Sequence, residues 1–210
     1  MATTATPRGL RPVKRADGMP YAGAVTEYLI DPAGEATNIF TGQVVYLGTD
    51  GYIAIVTATG ADATTNSWPV GSTDNTGCIG VFMGCEYVNA QGQLIHSPYY
   101  PAAYAAPTGT AIKAYVVDDP NVLFQAQMAA TTTQNAIGKN AYFNAVQSTS
   151  TGSTATGLSN SALSATIVAT TAPFRIVSAV GTITDTYPDL LVMFNIGWHS
   201  MNTVITKAVS

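Results

Sequence analysis

The stretch from Tyr99 to Met128 reads YYPAAYAAPTGTAIKAYVVDDPNVLFQAQM, and it is the part of the chain that decides the fold class. Proline and glycine interrupt its first third, and Ala111–Val117 then carries apolar and β-branched residues. Asp118–Asn121 follows as a turn, in which a proline fixes φ and the acidic and amide side chains can bond their own backbone. Apolar side chains alternate again from Val122 to Met128. The pattern predicts a β-hairpin with one buried face.

Apolar, β-branched runs recur through the rest of the chain, separated by turn residues. A second hairpin is predicted where Gln43–Leu47 and Tyr52–Ala58 flank the sequence Gly-Thr-Asp-Gly. The run Gly77–Val88 contains three glycines, which predicts a bent or bulged strand that another backbone approaches closely. Further strands are predicted at Val25–Ile30, Ala141–Val146, Leu163–Ala169, Phe174–Val180 and Leu190–Ile196.

About ten short strands with almost no helix predict an all-β fold. We expect an antiparallel β-sandwich or barrel, with a jelly roll among the possible arrangements. The one helical candidate, residues 129–140, is rich in threonine and is expected to form one or two turns at most. Residues 24–210 are predicted to form a single β-rich domain. It includes a long polar loop at residues 61–75 and a low-complexity Ser/Thr/Gly loop at residues 147–161.

Charged residues make up only 10% of the chain, against roughly 25% in an average soluble domain. Threonine, alanine, serine and glycine take their place, which favours an uncharged, weakly polar surface suited to close subunit packing. A threonine-rich secreted or structural β-protein would have the same composition, so composition by itself leaves both interpretations open.

Residues 1–23, here called the N-terminal arm, have spaced prolines and glycines and no strand or helix period, so we expect an extended segment. Half of the eight basic residues lie in it: residues 1–17 carry a net charge of +3 and the remainder carries −7. A basic arm on an acidic body predicts contact with a partner. The arm is expected to lie against something other than itself, and deletion of residues 1–20 is expected to leave the domain folded. The body has no basic patch interleaved with aromatics, so specific nucleic-acid binding is not expected.

Candidates for chemistry are few. With only His96 and His199 in the chain, a histidine-based catalytic triad or metal site has little to draw on. His199 is predicted to be packed or solvent-facing, and Asp118-Asp119 is interpreted as part of a turn rather than as a calcium site. We therefore expect no enzymatic activity, no metal and no cofactor.

The two cysteines, Cys78 and Cys85, lie seven residues apart in one apolar run. On a single strand they would be about 23 Å apart, beyond disulfide reach, so they are predicted to be reduced core thiols of a protein assembled in a cytoplasm. A hairpin between them would change that conclusion. No window approaches the roughly 20 apolar residues of a membrane span, and no apolar secretory segment begins the chain.

The order of several motifs resembles a group of small virion proteins of tailed phages. The opening TPRGLRPVKRADGMPYAGAVTEYLI, residues 6–30, is similar to the start of that group. Further segments resemble the central hairpin and the C-terminal third of the proteins in that group. They are Tyr99–Pro101, Lys113–Pro120, Phe124-Gln125, Gly152–Ser159, Phe174–Val180, Leu190–Asn195 and His199. The resemblance runs along nearly the whole chain, and the segment Gly77–Ser97 departs from it by being longer.

The resemblance implies a head decoration, or cement, protein: a non-enzymatic subunit that forms homo-oligomers, as trimer or dimer, on the outer surface of the capsid. It would stabilise contacts between major capsid protein subunits. The expected capsid contacts are Arg8, Leu10, Arg11, Val13, Lys14, Arg15 and Tyr21, and the possible subunit contacts are Tyr99, Tyr100 and Tyr104.

Two other functions remain open at this point. A carbohydrate-binding module or adhesin-like virion domain would use Trp68 and the same tyrosines to stack on sugars. A major capsid protein would normally carry a long amphipathic helix, which this sequence does not predict.

Overall fold

A computed structural model describes residues 4–56, 77–144, 151–169 and 172–202. In these residues the chain forms sixteen β-strands and two single-turn 3-10 helices, at Gln134–Ala136 and Ser200–Asn202. The strands are β1 (Arg11–Arg15), β2 (Thr26–Ile30), β3 (Ile39–Phe40), β4 (Val44–Leu47), β5 (Ile53–Ile55), β6 (Gly80–Val88), β7 (Leu94–Ser97), β8 (Tyr99–Tyr100), β9 (Ile112–Val117), β10 (Val122–Gln127), β11 (Asn140–Phe143), β12 (Gly152–Ser153), β13 (Leu158–Ser159), β14 (Leu163–Val168), β15 (Phe174–Val180) and β16 (Asp189–Phe194). The all-β prediction with antiparallel pairing is confirmed.

The first sheet has the strand order β1-β10-β16-β15-β11-β14, and every neighbouring pair in it is antiparallel. Its far strand curls back toward β10, because Leu163 forms an isolated bridge with Met128 and its carbonyl accepts a hydrogen bond from the Ala129 amide at 2.9 Å. The sheet therefore wraps around its own apolar side chains.

The second sheet has the order β2-β9-β6-β4-β5, with β7 paired to β6 outside this path. Its two end strands, β2 and β5, approach within 8 Å between Cα atoms, so this sheet also curls. Two smaller pairs, β3-β8 and β12-β13, lie beside the large sheets.

Two hydrophobic clusters fill this architecture. One is enclosed by the first sheet and includes Phe194, whose ring contacts those of Phe124 and Phe174 with centroids 5.6 Å and 5.5 Å apart. Val44, Val81 and Val117 of the second sheet belong to this same cluster, so it joins the two sheets. The other cluster lies on the opposite face of the second sheet, around Phe82 and Tyr100.

The strands predicted from the stretch Tyr99–Met128 are present, but they do not form a hairpin. β9 pairs with β2 and β6 in the second sheet, whereas β10 pairs with β1 and β16 in the first. The turn at residues 118–121 thus carries the chain from one sheet to the other, as a β-arch. The alternating pattern could not separate the two arrangements, because both need only an apolar face toward a core.

Two local predictions for the second sheet are confirmed. β4 and β5 form the expected hairpin, closed by a hydrogen bond from the Gly48 amide to the Tyr52 carbonyl at 2.7 Å. β6 is bulged between Phe82 and Gly84, where its register against β9 shifts. At Gly80 an added Cβ would clash with the Val117 carbonyl, which is the close backbone approach that the glycines predict.

The single 3-10 turn at Gln134–Ala136 agrees with the prediction of one or two helical turns at most in residues 129–140. Other segments differ from the sequence expectation in detail. β7 is an additional strand within the longer segment Gly77–Ser97. The described part of the low-complexity loop forms the pair β12-β13, and Gly152 packs so closely on Phe40 that no side chain fits there. The long polar loop at residues 61–75, with Trp68, lies outside the described residues.

Candidate partner-binding surface

The described part of the N-terminal arm lies against the chain's own body. Its start is fixed by hydrogen bonds from the Thr6 amide to Gln127 Oε1 at 2.7 Å and from the Leu10 amide to the Gly42 carbonyl at 2.9 Å. Gly9 has φ +68°, and a Cβ there would meet the Gly42 carbonyl oxygen at 2.5 Å. This position therefore needs glycine for both its backbone conformation and its close packing.

Beyond Gly9 the arm becomes the edge strand β1, which pairs antiparallel with β10 and is bulged between Pro12 and Lys14. The chain then turns back along the free edge of β1, where the Tyr21 amide donates to the Val13 carbonyl at 3.2 Å. Leu10 is 0% exposed and belongs to the cluster that joins the sheets.

These contacts correct two expectations about the arm. Leu10 is a core residue of this chain, so it is not available as an apolar contact for a partner. Deletion of residues 1–20 would remove Leu10 and all of β1, so we no longer expect the truncated domain to keep its stability.

Arg15 is also engaged within the chain. Its guanidinium pairs with Asp119 at 2.7 Å and with Asp17 at 3.2 Å, and the neighbouring Ala16 amide donates to the Asn121 carbonyl at 2.7 Å. The arm thereby holds the turn that joins the two sheets. Arg15 is accordingly left out of the partner surface that we propose below.

The two aspartates of that turn have partners that explain them. Asp118 accepts a hydrogen bond from the Tyr28 hydroxyl at 2.9 Å, and the Asp119 carboxylate accepts one from the Asn121 amide at 2.9 Å. Burial and this hydrogen bond raise the pKa of Tyr28 to about 12. In the described part of the chain, no group of three or more His, Cys, Asp or Glu residues is arranged to hold a metal ion.

Arg8, Arg11 and Lys14 differ from Arg15. Within the described ranges, no carboxylate lies at ion-pair distance from any of the three. Arg8 and Arg11 are exposed, Lys14 is half-buried, and the apolar side chain of Val13 is 42% exposed between them. These four residues are here called the arm surface, and they combine positive charge with one apolar contact.

Two grooves flank the arm surface, and Arg8 and Arg11 line both. The first has a volume of about 240 Å³ and is polar, with Gln125, Gln127 and Asp189 among its lining residues. The second has a volume of about 400 Å³ and runs between β1 and the second sheet. Its lining residues include Pro12, Tyr21, Met83 and Leu158.

The tyrosines predicted as subunit contacts have mainly internal partners. Tyr100 is 0% exposed; its hydroxyl donates to the Tyr104 carbonyl at 2.7 Å and accepts from the Glu35 amide at 3.0 Å. The Tyr104 hydroxyl donates to the Val88 carbonyl at 2.5 Å, and the Tyr99 ring stacks on Phe40 with centroids 5.6 Å apart. Tyr100 is therefore a core residue and cannot be a subunit contact in this conformation.

Tyr21 is partly engaged within the chain and partly accessible to a partner. Its ring packs against the cluster that joins the sheets, and its hydroxyl donates to the Ala24 carbonyl at 2.5 Å. Part of the ring still lines the larger groove.

The structure adds two groove residues that the sequence did not indicate, Met83 and Leu158. Arg175 and Val177 are exposed on β15, where the alternate residues Phe174 and Ile176 are buried, but they line neither groove and do not belong to the arm surface. The alternation along this strand was a signal that could have found them. Met83 and Leu158 gave no such signal, because they meet the arm only through tertiary packing.

His199 is packed, as one of the two sequence interpretations has it. It is 0% exposed, and its ring lies 5.3 Å from that of Phe194. Burial lowers its pKa to about 4, so the imidazole is neutral at pH 7. Cys78 and Cys85 are free and buried as predicted, and burial raises the pKa of both thiols, that of Cys85 to about 12.

Comparison of the chain with family models, with curated proteins and with solved structures finds no match. Among the described residues, no helix has both the length and the apolar character that a membrane crossing requires.

Proposed function

We propose that this chain is a structural virion protein of the head-decoration class, which binds the outer surface of a phage capsid. In this role it stabilises contacts between major capsid protein subunits. The observation that carries the proposal is the arm surface. Arg11 and Lys14 lie on β1, which pairs with β10, and Arg8 lies just before this strand; none of the three has a carboxylate partner among the described residues.

The fixed position of these cations favours a preformed contact. β1 is held by β10 on one edge and by residues 19–21 on the other, so binding would order little additional backbone. Preorganisation of this kind lowers the entropic cost of association. The arm surface then offers charge complementarity to an acidic face of another subunit, which mainly contributes specificity and a fast association rate.

Low charge over the rest of the chain supports the same role. Only 10% of the residues are charged, so other faces can approach neighbouring copies without desolvating many ions. We propose that copies associate as a trimer or dimer at a capsid symmetry axis. Several weak capsid contacts would then act together through avidity.

The tyrosines that suggested a sugar-binding function have internal partners, and Trp68, which also suggested it, lies outside the described residues. Tyr100 is buried, and Tyr99 and Tyr104 stack on or bond to groups of the same chain. These internal contacts favour capsid binding over sugar binding.

Co-sedimentation tests this function. The purified chain is mixed with empty shells of the major capsid protein of the same phage, and binding is measured at increasing salt. We expect saturable binding that weakens with salt, because charge interactions are screened over about 10 Å at 0.1 M ionic strength. Shells carrying the chain should also disassemble at a higher temperature than bare shells.

The triple variant R8A/R11A/K14A should lose most of this binding, while the double variant K139A/R175A, which removes cations outside the arm surface, should keep it. Absence of binding by the wild-type chain, or equal binding by the triple variant, would contradict the proposal.

A further inference from the structure

We infer that the larger groove beside β1 is a binding site for an extended acidic peptide segment of a different protein, one that places an apolar side chain next to a carboxylate. The inference rests on the proposed function, since that protein would be the capsid subunit. It adds the chemical class of the bound segment and the position of the site in the fold.

The size and lining of the groove suit an apolar side chain. It has a volume of about 400 Å³, which lies within the range of pockets that bind small ligands or side chains. Met83 on β6 and Leu158 on β13 are half-buried, and Pro12 contributes from the arm. These side chains form apolar walls. Contact with an aliphatic or aromatic side chain would remove apolar surface from water and so stabilise the complex.

The groove also carries positive charge. Arg8 and Arg11 both line the groove, both are exposed, and neither pairs with a carboxylate among the described residues. A guanidinium presents a planar fork of donors that suits a carboxylate. A ligand that joins a carboxylate to a neighbouring apolar side chain would therefore satisfy both the cations and the walls.

The charge of the whole chain decides between classes of anionic ligand. A nucleic acid would bring many phosphates against a body with net charge −7 beyond residue 17, which would repel it. A short acidic peptide needs only the local cations, and its apolar side chain uses walls that a phosphate backbone would leave unoccupied.

The rigidity of the groove supports a peptide in extended form. The groove is lined by Arg11 and Pro12 of β1, Met83 of β6 and Leu158 of β13, so a bound segment would lie among extended strands. Met83 and Tyr21 also pack against the core cluster that joins the sheets, which fixes the floor of the site.

Selection from a bead-displayed library of random short peptides tests the inference without any capsid component. We expect the full chain to select peptides in which Asp or Glu adjoins an aliphatic or aromatic residue. A fluorescein-labelled peptide of the selected consensus, measured by fluorescence anisotropy, should bind the R8E/R11E variant at least tenfold more weakly.

The matched control is K139E/R175E, which changes net charge by the same amount outside the groove and should bind the peptide within about twofold of wild type. A second variant, L158E, tests the apolar wall separately and should also weaken binding at least tenfold. Circular dichroism and thermal unfolding of each variant verify that it is folded.

Selection of no peptide, selection without acidic residues, or equal weakening by the control variant would overturn the inference. A consensus that matches an acidic, apolar segment of this same chain, such as residues 25–31, would overturn the assignment to a different protein and indicate self-association. Failure of capsid binding with successful acidic selection would instead contradict the proposed function and leave the groove's ligand class supported.

Discussion

In the sequence, the N-terminal arm and the tyrosine segment at residues 99–104 are both candidates for partner contacts. In the structure, their side chains lie in different environments. Both contain large side chains suited to partner contacts, and both lie in stretches rich in proline and glycine. In the tyrosine segment, the hydroxyls of Tyr100 and Tyr104 are bonded to backbone groups of the same chain. In the arm, the charged groups of Arg8, Arg11 and Lys14 have no carboxylate partner among the described residues.

The difference follows from the chemistry of the side chains. A tyrosine can bury its ring and satisfy one hydroxyl with one or two backbone groups, so a curled sheet can absorb it. A guanidinium carries five donors and a permanent charge, and burying it without a carboxylate is costly. The chain has few acidic residues, and some of them are already paired. In the described part of the chain, these cations therefore lie at the surface.

The largest expected effect concerns Leu10, the one apolar member of the predicted arm contacts that the structure places in the core. L10A should lower the free energy of unfolding by about 2 to 5 kcal/mol, because it leaves a cavity in a fully buried site. Urea denaturation measures this. V13A, at a position 42% exposed, is the control and should change stability by less than about 0.5 kcal/mol. Equal effects of the two substitutions would show that the arm is not integrated into the body.

The next effect concerns Tyr100 in the other segment. Y100F should lower the free energy of unfolding by about 1 to 3 kcal/mol, because the Glu35 amide and the Tyr104 carbonyl lose their partner in a buried site. Y99F is the control, since the Tyr99 ring stacks on Phe40 and this contact survives loss of the hydroxyl. A negligible effect of Y100F would mean that the tyrosine segment is held less firmly than its contacts indicate.

Alkaline titration is a second test of the burial of the Tyr100 hydroxyl. Burial raises the pKa of Tyr100 from 10.0 to about 12. The folded state thus favours the neutral phenol, and this contribution to stability is fully present below pH 10 and lost as pH rises to about 12. The stability difference between wild type and Y100F should therefore close over that window. A difference that stayed constant would contradict the buried position of the hydroxyl.

A smaller effect is expected for Arg15, the member of the arm that behaves like the tyrosine segment by bonding inward. R15A should lower stability by about 0.2 to 1 kcal/mol, since its pair with Asp119 is partly exposed, and added salt should reduce the effect. K14A, one residue earlier, should have no comparable salt-dependent effect on unfolding. Thermal unfolding at low and high salt measures both variants.

The smallest effect on folding is expected for the arm surface itself. R8A/R11A should change the free energy of unfolding by less than about 0.5 kcal/mol, because neither guanidinium has a described carboxylate partner. A loss of more than about 1 kcal/mol in urea denaturation would show that these cations serve the fold, and it would remove the contrast between the two segments.

Local sequence patterns predicted the strands well and their partners poorly. Phe174–Val180 matches β15 in full, and the turn residues closed the β4-β5 hairpin where they predicted it. The Asp-Asp-Pro-Asn turn was also located correctly, yet β9 and β10 belong to different sheets. Periodicity reports which face of a strand is apolar, and it contains no term for the identity of the neighbouring strand.

The candidate site was predicted in part for the same reason. The sequence could select Arg8, Arg11 and Lys14 from their charge, because cations are usually exposed. It could select Val13 from its position among them. Leu10 could not be assigned to the core, since its burial depends on β10 and on Gly42, which are distant in the chain. Met83 and Leu158 join the groove only after β6 and β13 have been placed.

Three properties could be predicted from the amino-acid sequence alone: the all-β fold class, the burial of both cysteine thiols, and the concentration of positive charge in residues 8–15. These properties follow from residue type, spacing and turn chemistry, which act within a few residues. Three other features became evident only in the folded chain: the arm forms an edge strand, Tyr100 is internal, and a groove opens beside Arg8 and Arg11. Those outcomes depend on contacts between strands far apart in the chain, and such contacts are selected by the burial of the whole set of apolar faces at once.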